Sequence, residues 1–267
     1  MKQRILTAII ALIIFVPFVI YGGLPFEIFV YVLATIGLIE LMRMRQLGKY
    51  SISSALGILL LWMIMLPEEF GFIPLPESLY QKSDVIMLVV LLLLSYTVLV
   101  KNRFTFDHAG FIILSTIYVG MGFSFLIETR NLPDDGLATI AYVFLIIWAT
   151  DTGAYFFGRA FGKKKLWPKI SPNKTIEGAV GGVLLACIVA IIFHLFNPIQ
   201  QHSLLALVMV TVLASIFGQI GDLVESAFKR HYGVKDSGDI LPGHGGILDR
   251  FDSMLFVLPV LHFIGFV

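Results

Sequence analysis

Residues 204–221 read LLALVMVTVLASIFGQIG, a run of 18 residues without a formal charge. Its length approaches the roughly 20 apolar residues that an α-helix needs to cross the hydrocarbon core of a bilayer. Asp222, Glu225 and Lys229 follow directly, so polar groups begin where the apolar run ends. This stretch therefore predicts a membrane-spanning helix that carries a polar site at one end.

The rest of the chain has a similar composition. Of its 267 residues, 58% are hydrophobic and 14% are charged, whereas charged residues make up roughly 25% of an average soluble protein. A soluble fold of this length could not bury so much apolar surface, which excludes an ordinary cytosolic enzyme and a disordered chain. The net charge of +1 gives no global attraction to nucleic acid, and we expect no nucleic-acid partner.

Eight further apolar runs divide the chain into about nine predicted transmembrane helices. The nine runs are 5–21, 26–42, 52–66, 85–100, 109–127, 137–157, 178–196, 204–221 and 251–267. The predicted fold class is all-α, a polytopic integral membrane protein with a single domain over residues 1–267. About five N-terminal spans occupy residues 1–136, and residues 137–267 carry the catalytic spans and loops. The short link between the first two runs fits either a tight hairpin or one broken, re-entrant segment.

The basic residues predict how these helices are oriented. If the nine runs cross alternately, 17 Lys and Arg residues lie on one side, and only Lys82 and Arg130 lie on the other. The positive-inside rule makes the rich side cytoplasmic. We therefore expect a multi-pass membrane protein whose polar site faces the cytoplasm. If the chain is bacterial, we expect it in the inner membrane.

Residues 151–178, DTGAYFFGRAFGKKKLWPKISPNKTIEG, form the first of two polar stretches. Asp151, Tyr155 and Arg159 are spaced four apart and share one face of a helix. An ionisable residue at membrane depth suggests function by default. The three residues fit an Asp–Arg ion pair, an aspartate at the water interface, or the polar wall of a cytoplasm-facing cavity.

The second half of this stretch predicts the start of a helix. Free N–H groups at such a start bind phosphate readily, and Ser171, Lys174 and Thr175 lie beside it. The same residues also fit a well-capped helix and nothing more. Three glycines thin one face of the helix, for close helix packing or for the approach of a ligand: Gly178, Gly181 and Gly182.

Residues 221–253, GDLVESAFKRHYGVKDSGDILPGHGGILDRFDS, form the second polar stretch. It begins with a helical stripe of Asp222, Glu225, Ser226 and Lys229, and it continues into a glycine-rich loop with further acids and bases. Carboxylates among Lys, Arg and flexible backbone suit the binding of Mg²⁺ and a polyphosphate. No P-loop, strand-linked G-x-G-x-x-G or H-E-x-x-H motif occurs.

Residues 226–252 resemble the signature of the phosphatidate cytidylyltransferase (CDP-diacylglycerol synthase) family. That signature reads S-x-[apolar]-K-R-x4-K-D-x-[small]-x2-[apolar]-[P/G]-x-H-G-G-[apolar]-x-D-R-[apolar]-D, and the chain follows it without departure. Its polar members here are Ser226, Lys229, Arg230, Lys235, Asp236, His244, Asp249, Arg250 and Asp252. Residues 151–178 also resemble the family's segment D-x-x-A-Y-x-x-G-R…S-P-x-K-T-x-E-G.

The resemblance implies the reaction CTP + phosphatidate → CDP-diacylglycerol + pyrophosphate, with Mg²⁺ and with room for a second cation. Asp222 and Asp249 are the first expected metal ligands, and Asp252 is the third. Lys229, Asp222, Asp249, Arg250 and His244 form the expected catalytic set, in which His244 orients the triphosphate or pyrophosphate.

The expected substrate-binding residues come from both polar stretches. The cations of the second stretch would hold phosphates: Lys229, Arg230, Lys235 and Arg250. The helix start of the first would bind another phosphate through Lys174, Ser171 and Thr175. Asp151, Tyr155 and Arg159 would shape the floor of the site.

Two other functions fit parts of the sequence. A CTP-dependent lipid kinase would use similar groups but transfer the γ-phosphate. A transporter or channel could use Asp151 and the Asp222 stripe as an intramembrane charged site, although the polar residues gather on one side instead of lining a path. The expected partners are CTP, phosphatidate and membrane lipid. The sequence leaves the oligomeric state open and allows a homodimer.

Overall fold

The computed structural model describes residues 2–67, 82–196, 199 and 202–267. The chain is almost entirely helical, as predicted. Its α-helices are α1 (Lys2–Tyr21), α2 (Gly23–Met44), α3 (Ser51–Met65), α4 (Lys82–Leu99), α5 (Phe106–Arg130), α6 (Gly136–Phe161), α7 (Ile176–Leu195), α8 (Leu204–Tyr232), α9 (Leu248–Phe251) and α10 (Met254–Phe263). Strands β1 (Lys165–Trp167) and β2 (Ser171–Thr175) form a small antiparallel hairpin between α6 and α7.

Six of the described helices, α2 and α4–α8, are long and apolar enough to cross a membrane, so the protein is a multi-pass membrane protein. The prediction of about nine spans is not confirmed. The three other predicted runs correspond to shorter apolar helices, which are residues 6–21 of α1, α3 and α10. At 1.5 Å per residue, the 15 residues of α3 and the 10 of α10 reach about 22 Å and 15 Å. Both lengths are less than the roughly 30 Å of a hydrocarbon core.

Helices α1 and α2 form a tight hairpin, which decides between the two arrangements that the sequence allows. The turn is at Gly22, whose φ of +70° favours glycine. Phe18 stacks on Phe29 across the hairpin, with ring centroids 4.4 Å apart. Arg130 of α5 closes the end of α1 by donating from Nε to the carbonyl of Val19 at 2.5 Å. This arginine, on the predicted outer side, therefore caps a helix.

Glycines bring α6 and α7 into backbone contact. A Cβ placed on Gly153 would lie 2.7 Å from the carbonyl oxygen of Gly181, and one on Gly182 would lie 2.7 Å from that of Thr150. Gly178 approaches α6 in the same way. Small residues permit this close approach between helices in a bilayer. Of the two roles that the sequence allows for these glycines, the contacts favour helix packing.

This packing predicts that Gly182→Ala destabilises the protein. The added methyl group would force α6 and α7 apart, and overpacking of this kind costs about 1–3 kcal/mol. Gly110→Ala in α5 is the matched control, because a Cβ there meets no atom within 4 Å. In thermal unfolding of the purified protein in detergent, we expect Gly182→Ala to lower the Tm by several degrees and Gly110→Ala not to lower it. Equal Tm values would contradict this account of the helix contact.

The short helix α9 connects the second polar stretch to the N-terminal half of the protein. Leu248 packs against α2, where its Cδ2 lies 3.2 Å from the position of a Cβ on Gly37. Phe251 packs against Phe123 of α5 and Phe15 of α1, at centroid distances of 5.3 Å and 5.7 Å. Three helices of the N-terminal half, α1, α2 and α5, therefore hold α9 in place.

Candidate active site

The two polar stretches meet at the end of α8. Lys174 of β2 forms an ion pair with Asp222, and the other oxygen of this carboxylate accepts a hydrogen bond from Ser226 at 3.4 Å. Further along α8, Arg230 donates from Nε to the carbonyl of Ile170 at 3.3 Å. The side chains of Lys174 and Asp222 remain 28% and 31% exposed. This ion pair can therefore be reached by a ligand from solution.

A second ion cluster lies deeper in the protein. Lys229 donates to Glu225 at 2.5 Å and to Asp249 at 2.6 Å. The side chain of the lysine is 14% exposed, and those of the two acids are 3% and 4% exposed. Buried charges need partners, and Lys229 provides one for each acid, although Oε1 of Glu225 has no hydrogen-bond partner among the described residues. Lys229 thereby ties α8 to α9.

Asp249 is surrounded by hydrogen-bond donors. Besides Lys229 on Oδ1, its Oδ2 accepts from the backbone N–H and hydroxyl of Ser237 and from the N–H of Gly246, each at 2.8 Å. Burial would raise the pKa of Asp249, but Lys229 and the backbone N–H donors outweigh it and lower the pKa to about 2. The side chain is therefore a carboxylate whose two oxygens both have partners.

Asp252 lies in a different environment, next to the part of α8 that carries Asp222. A Cβ on Gly221 would lie 2.6 Å from the backbone oxygen of Asp252, so the chain passes directly over α8. Burial raises the pKa of Asp252, and the negative charges of Asp222 and Asp151 raise it further. Three acidic side chains therefore interact electrostatically at this end of the site.

Among the described residues, no three His, Cys, Asp or Glu side chains converge as a preassembled metal site. Asp222 is paired with Lys174, and Asp249 is paired with Lys229. The oxygen donors of Asp222 and Asp252 are nevertheless of the kind that Mg²⁺ prefers, and Mg²⁺ needs only one or two of them beside phosphate oxygens and water. The roles of the three aspartates as metal ligands stay predictions.

The side chains predicted to form the floor of the site lie on the surface of α6. Asp151, Tyr155 and Arg159 are all exposed. Arg159 donates to the hydroxyl of Tyr155 at 3.4 Å, and although both residues are described, Arg159 forms no ion pair with Asp151. Of the three, only Asp151 acts electrostatically on Asp252.

The helix start beside Lys174 is capped, as one of the two sequence interpretations predicts. Thr175 accepts a hydrogen bond from the N–H of Gly178 at 3.1 Å. Glu177 accepts the N–H groups of Lys163 and Lys164 at 3.1–3.2 Å, which ties the start of the β-hairpin to α7. Ser171 is half-buried at the start of β2. Phosphate binding by Ser171 and Thr175 stays a prediction.

Three further predicted residues, Lys235, His244 and Arg250, lie on the second polar stretch. Lys235 and Arg250 are exposed. His244 is half-buried in a tight turn, where its N–H donates to the carbonyl of Leu241 at 2.8 Å. Gly245 completes this turn with a φ of +83°, a conformation that favours glycine. These three side chains lie on or beside the loop that leads to Asp249.

Comparison of the sequence with known proteins identifies the family of the chain. The model of the Cytidylyltransferase family matches residues 2–267. The chain belongs to this family. It is 54% identical over 266 residues to a phosphatidate cytidylyltransferase of Bacillus subtilis (strain 168), covering 99% of this chain and 97% of the relative. It is 53% identical to a protein of that name from Staphylococcus haemolyticus, with 98% of each chain covered. The resemblance seen in the sequence is therefore confirmed.

Two further residues of this cytidylyltransferase-family chain, Glu40 and Ser237, lie in the site without having been predicted from the sequence. Glu40 is a buried carboxylate of α2, and Ser237 is a buried serine in the loop after α8. Their contact at 3.0 Å joins residues 197 positions apart. One signal was available for Glu40, because an ionisable residue within an apolar run is costly and suggests function. For Ser237 we find no such signal.

Proposed function

We propose that the chain transfers the cytidylyl group of CTP to phosphatidate, forming CDP-diacylglycerol and pyrophosphate. The observation that carries the proposal is the accessible Lys174–Asp222 pair, which lies above the buried Lys229 cluster at the end of a membrane-spanning helix. A lipid phosphate at the bilayer surface and a nucleotide from solution can both reach such a position. The relatives named phosphatidate cytidylyltransferase support the choice of substrates.

The reaction requires little acid–base chemistry from the protein. An oxygen of the phosphatidate phosphate attacks the α-phosphorus of CTP and forms a new P–O bond. The bond between this phosphorus and the oxygen that bridges to the β-phosphate breaks, and pyrophosphate leaves with the electron pair. Because the lipid phosphate is already anionic near neutral pH, catalysis rests on positioning two anions and neutralising their charge.

The cations at the mouth of the site suit this task. Lys174 and Arg230 belong to the contacts that join the two polar stretches, and Arg250 and Lys235 are exposed beside them. We propose that these four groups bind the phosphates of CTP and phosphatidate. Lys229 is already bonded to two buried acids, so we assign it the task of holding α9 and Asp249 in position.

The donor set also suits Mg²⁺, which Asp222 and Asp252 would hold. Lys174 already pairs with Asp222, and a bound cation would offset the repulsion that remains between Asp151, Asp222 and Asp252. When bound, Mg²⁺ supplies further neutralisation of the phosphate charge. Asp249 is the less favoured ligand because donors already occupy both of its oxygens.

We further propose that the site faces the cytoplasm, where CTP is available. The support is the uneven distribution of Lys and Arg, of which the residues beside the site form a large part. The polar stretches meet on the end of α8 that carries Lys229 and Arg230, so a ligand would bind on the basic side.

Product analysis with two labelled forms of CTP tests the proposed function against a lipid kinase. Purified protein is incubated with phosphatidate, Mg²⁺ and CTP labelled at either the α- or the γ-phosphate, and the lipids are extracted. We expect the α-label in the lipid and the γ-label in pyrophosphate. In a parallel incubation with a long-chain alcohol in place of phosphatidate, a γ-labelled lipid would instead show a kinase.

A further inference from the structure

We propose that Glu40 is a positioning residue for the cytidylyl transfer, an inference that rests on the proposed function. Its carboxylate would hold residues 237–249 in the conformation that places Asp249 against Lys229. Glu40 lies on α2, in the N-terminal part of the chain to which the sequence assigns only membrane spans. Its side chain is 3% exposed, so neither CTP nor phosphatidate would contact it directly.

Two backbone N–H groups and one hydroxyl of the loop contact the Glu40 carboxylate. Oε1 accepts from the N–H of Ile247 at 2.9 Å, and Oε2 accepts from the N–H of Leu248 at 3.0 Å. Ser237 lies 3.0 Å from Oε2 through its hydroxyl. Ile247 directly precedes α9, and Leu248 is its first residue. Their N–H groups have no acceptor within so short a helix. A carboxylate from another helix therefore fixes where α9 starts.

Ser237 connects Glu40 to the ion cluster. Its hydroxyl lies 2.8 Å from Oδ2 of Asp249 as well as 3.0 Å from Glu40, and Asp249 in turn binds Lys229. A hydroxyl carries one proton and can donate it to only one carboxylate at a time. The two acids consequently share one partner, and a change at Glu40 alters the hydrogen bonding of Asp249.

The loop is built closely around this carboxylate. A Cβ on Gly238 would lie 2.6 Å from Oε1 of Glu40, and one on Gly246 would collide with both the Ser237 hydroxyl and Glu40. Gly246 belongs to the H-G-G segment of the family signature. These glycines leave room for a buried acid that the signature itself does not contain.

The test compares Glu40→Gln and Glu40→Ala with Glu27→Gln. Glu27 is the matched control, because it is a half-buried carboxylate of the same helix that accepts a hydrogen bond from Asn131 at 2.8 Å, far along α2 from the site. We expect both Glu40 variants to lower kcat by about 10–100-fold, with Glu40→Gln retaining more activity than Glu40→Ala. Glu27→Gln should stay within about twofold of wild type, as expected for a residue outside the network.

A double variant separates positioning from a general loss of folding. If Glu40 acts through Ser237, the kcat losses of Glu40→Gln and Ser237→Ala are not independent. We then expect the kcat of the double variant to be no lower than that of the less active single variant. Losses that multiply, or a loss in Glu40→Gln that matches its unfolded fraction by circular dichroism, would overturn the proposal.

Hydrogen exchange provides a measurement that does not depend on turnover. We expect a peptide covering residues 237–252 to exchange faster in Glu40→Gln than in wild type and in Glu27→Gln. Unchanged exchange would overturn the proposal even in an inactive preparation. If wild type formed no CDP-lipid while this peptide still responded to Glu40→Gln, the proposed function would fail and the positioning of the loop by Glu40 would stand.

Discussion

Asp222→Asn abolishes formation of CDP-lipid, with a loss in kcat/KM of at least about 10²–10³-fold, the size expected when a charged group at the reacting centre is removed. Asparagine has nearly the same shape and can still accept the hydrogen bond from Ser226. The replacement removes the ion-pair partner of Lys174, but the Lys174 side chain is 28% exposed, so no buried charge is left without a partner. The variant should therefore insert and fold like wild type while losing the charge that we assign to Mg²⁺ binding.

The control for this variant is Asp239→Asn, which neutralises an exposed acid of the following loop. It should keep wild-type activity, which excludes an effect of net charge alone. Initial rates of CDP-lipid formation over a range of Mg²⁺ concentrations provide the measurement. A wild-type rate in Asp222→Asn would remove this residue from the site.

Lys229→Met lowers both stability and activity. The methionine removes the cation shared by Glu225 and Asp249, whose side chains are almost fully buried. Removal of one partner from a buried ion pair costs about 3–5 kcal/mol, because the remaining charge has no compensation. Asp249 would also lose the bond that ties α9 to α8, so we expect no detectable CDP-lipid.

The measurement for Lys229→Met is thermal unfolding in detergent together with the rate of CDP-lipid formation. Lys235→Met is the matched control, because it removes an exposed lysine five residues beyond the end of the signature's Lys-Arg pair. Lys235→Met should unfold at the wild-type temperature, even if its substrate affinity falls. A Lys229→Met protein as stable as wild type would contradict the structural role of this cluster.

Much of the fold is predictable from local sequence. Apolar runs predict helices because a bilayer leaves the backbone no other way to satisfy its hydrogen bonds. The number of spans was harder to predict from the sequence. The apolar run at 251–267 contains α10 over only 10 residues, and the separate helix α9 ends where this run begins. Composition does not reveal such interruptions. The choice between a hairpin and a re-entrant segment at Gly22 also depended on a distant residue, Arg130.

The sequence predicted that the candidate site residues belong to the two polar stretches, and their roles stay predictions, but it did not predict the contacts between them. The sequence identified Asp222 and Asp249 as equivalent aspartates, each close to an apolar run. Their surroundings differ, because Asp222 is accessible beside Lys174, whereas Asp249 is buried among four donors. Helical spacing relates residues three or four positions apart. It cannot predict a partner such as Glu40, which reaches this loop from the other half of the chain.

The most direct test of the central claim is the stoichiometry of products in a single sample. Purified protein in phosphatidate-containing micelles receives CTP and Mg²⁺, and lipid-bound cytidine and free pyrophosphate are measured together over time. We predict that the two appear in a 1:1 ratio, that both depend on phosphatidate, and that neither appears with Asp222→Asn. Pyrophosphate without lipid-bound cytidine, or neither product from the wild-type protein, would contradict the proposed function.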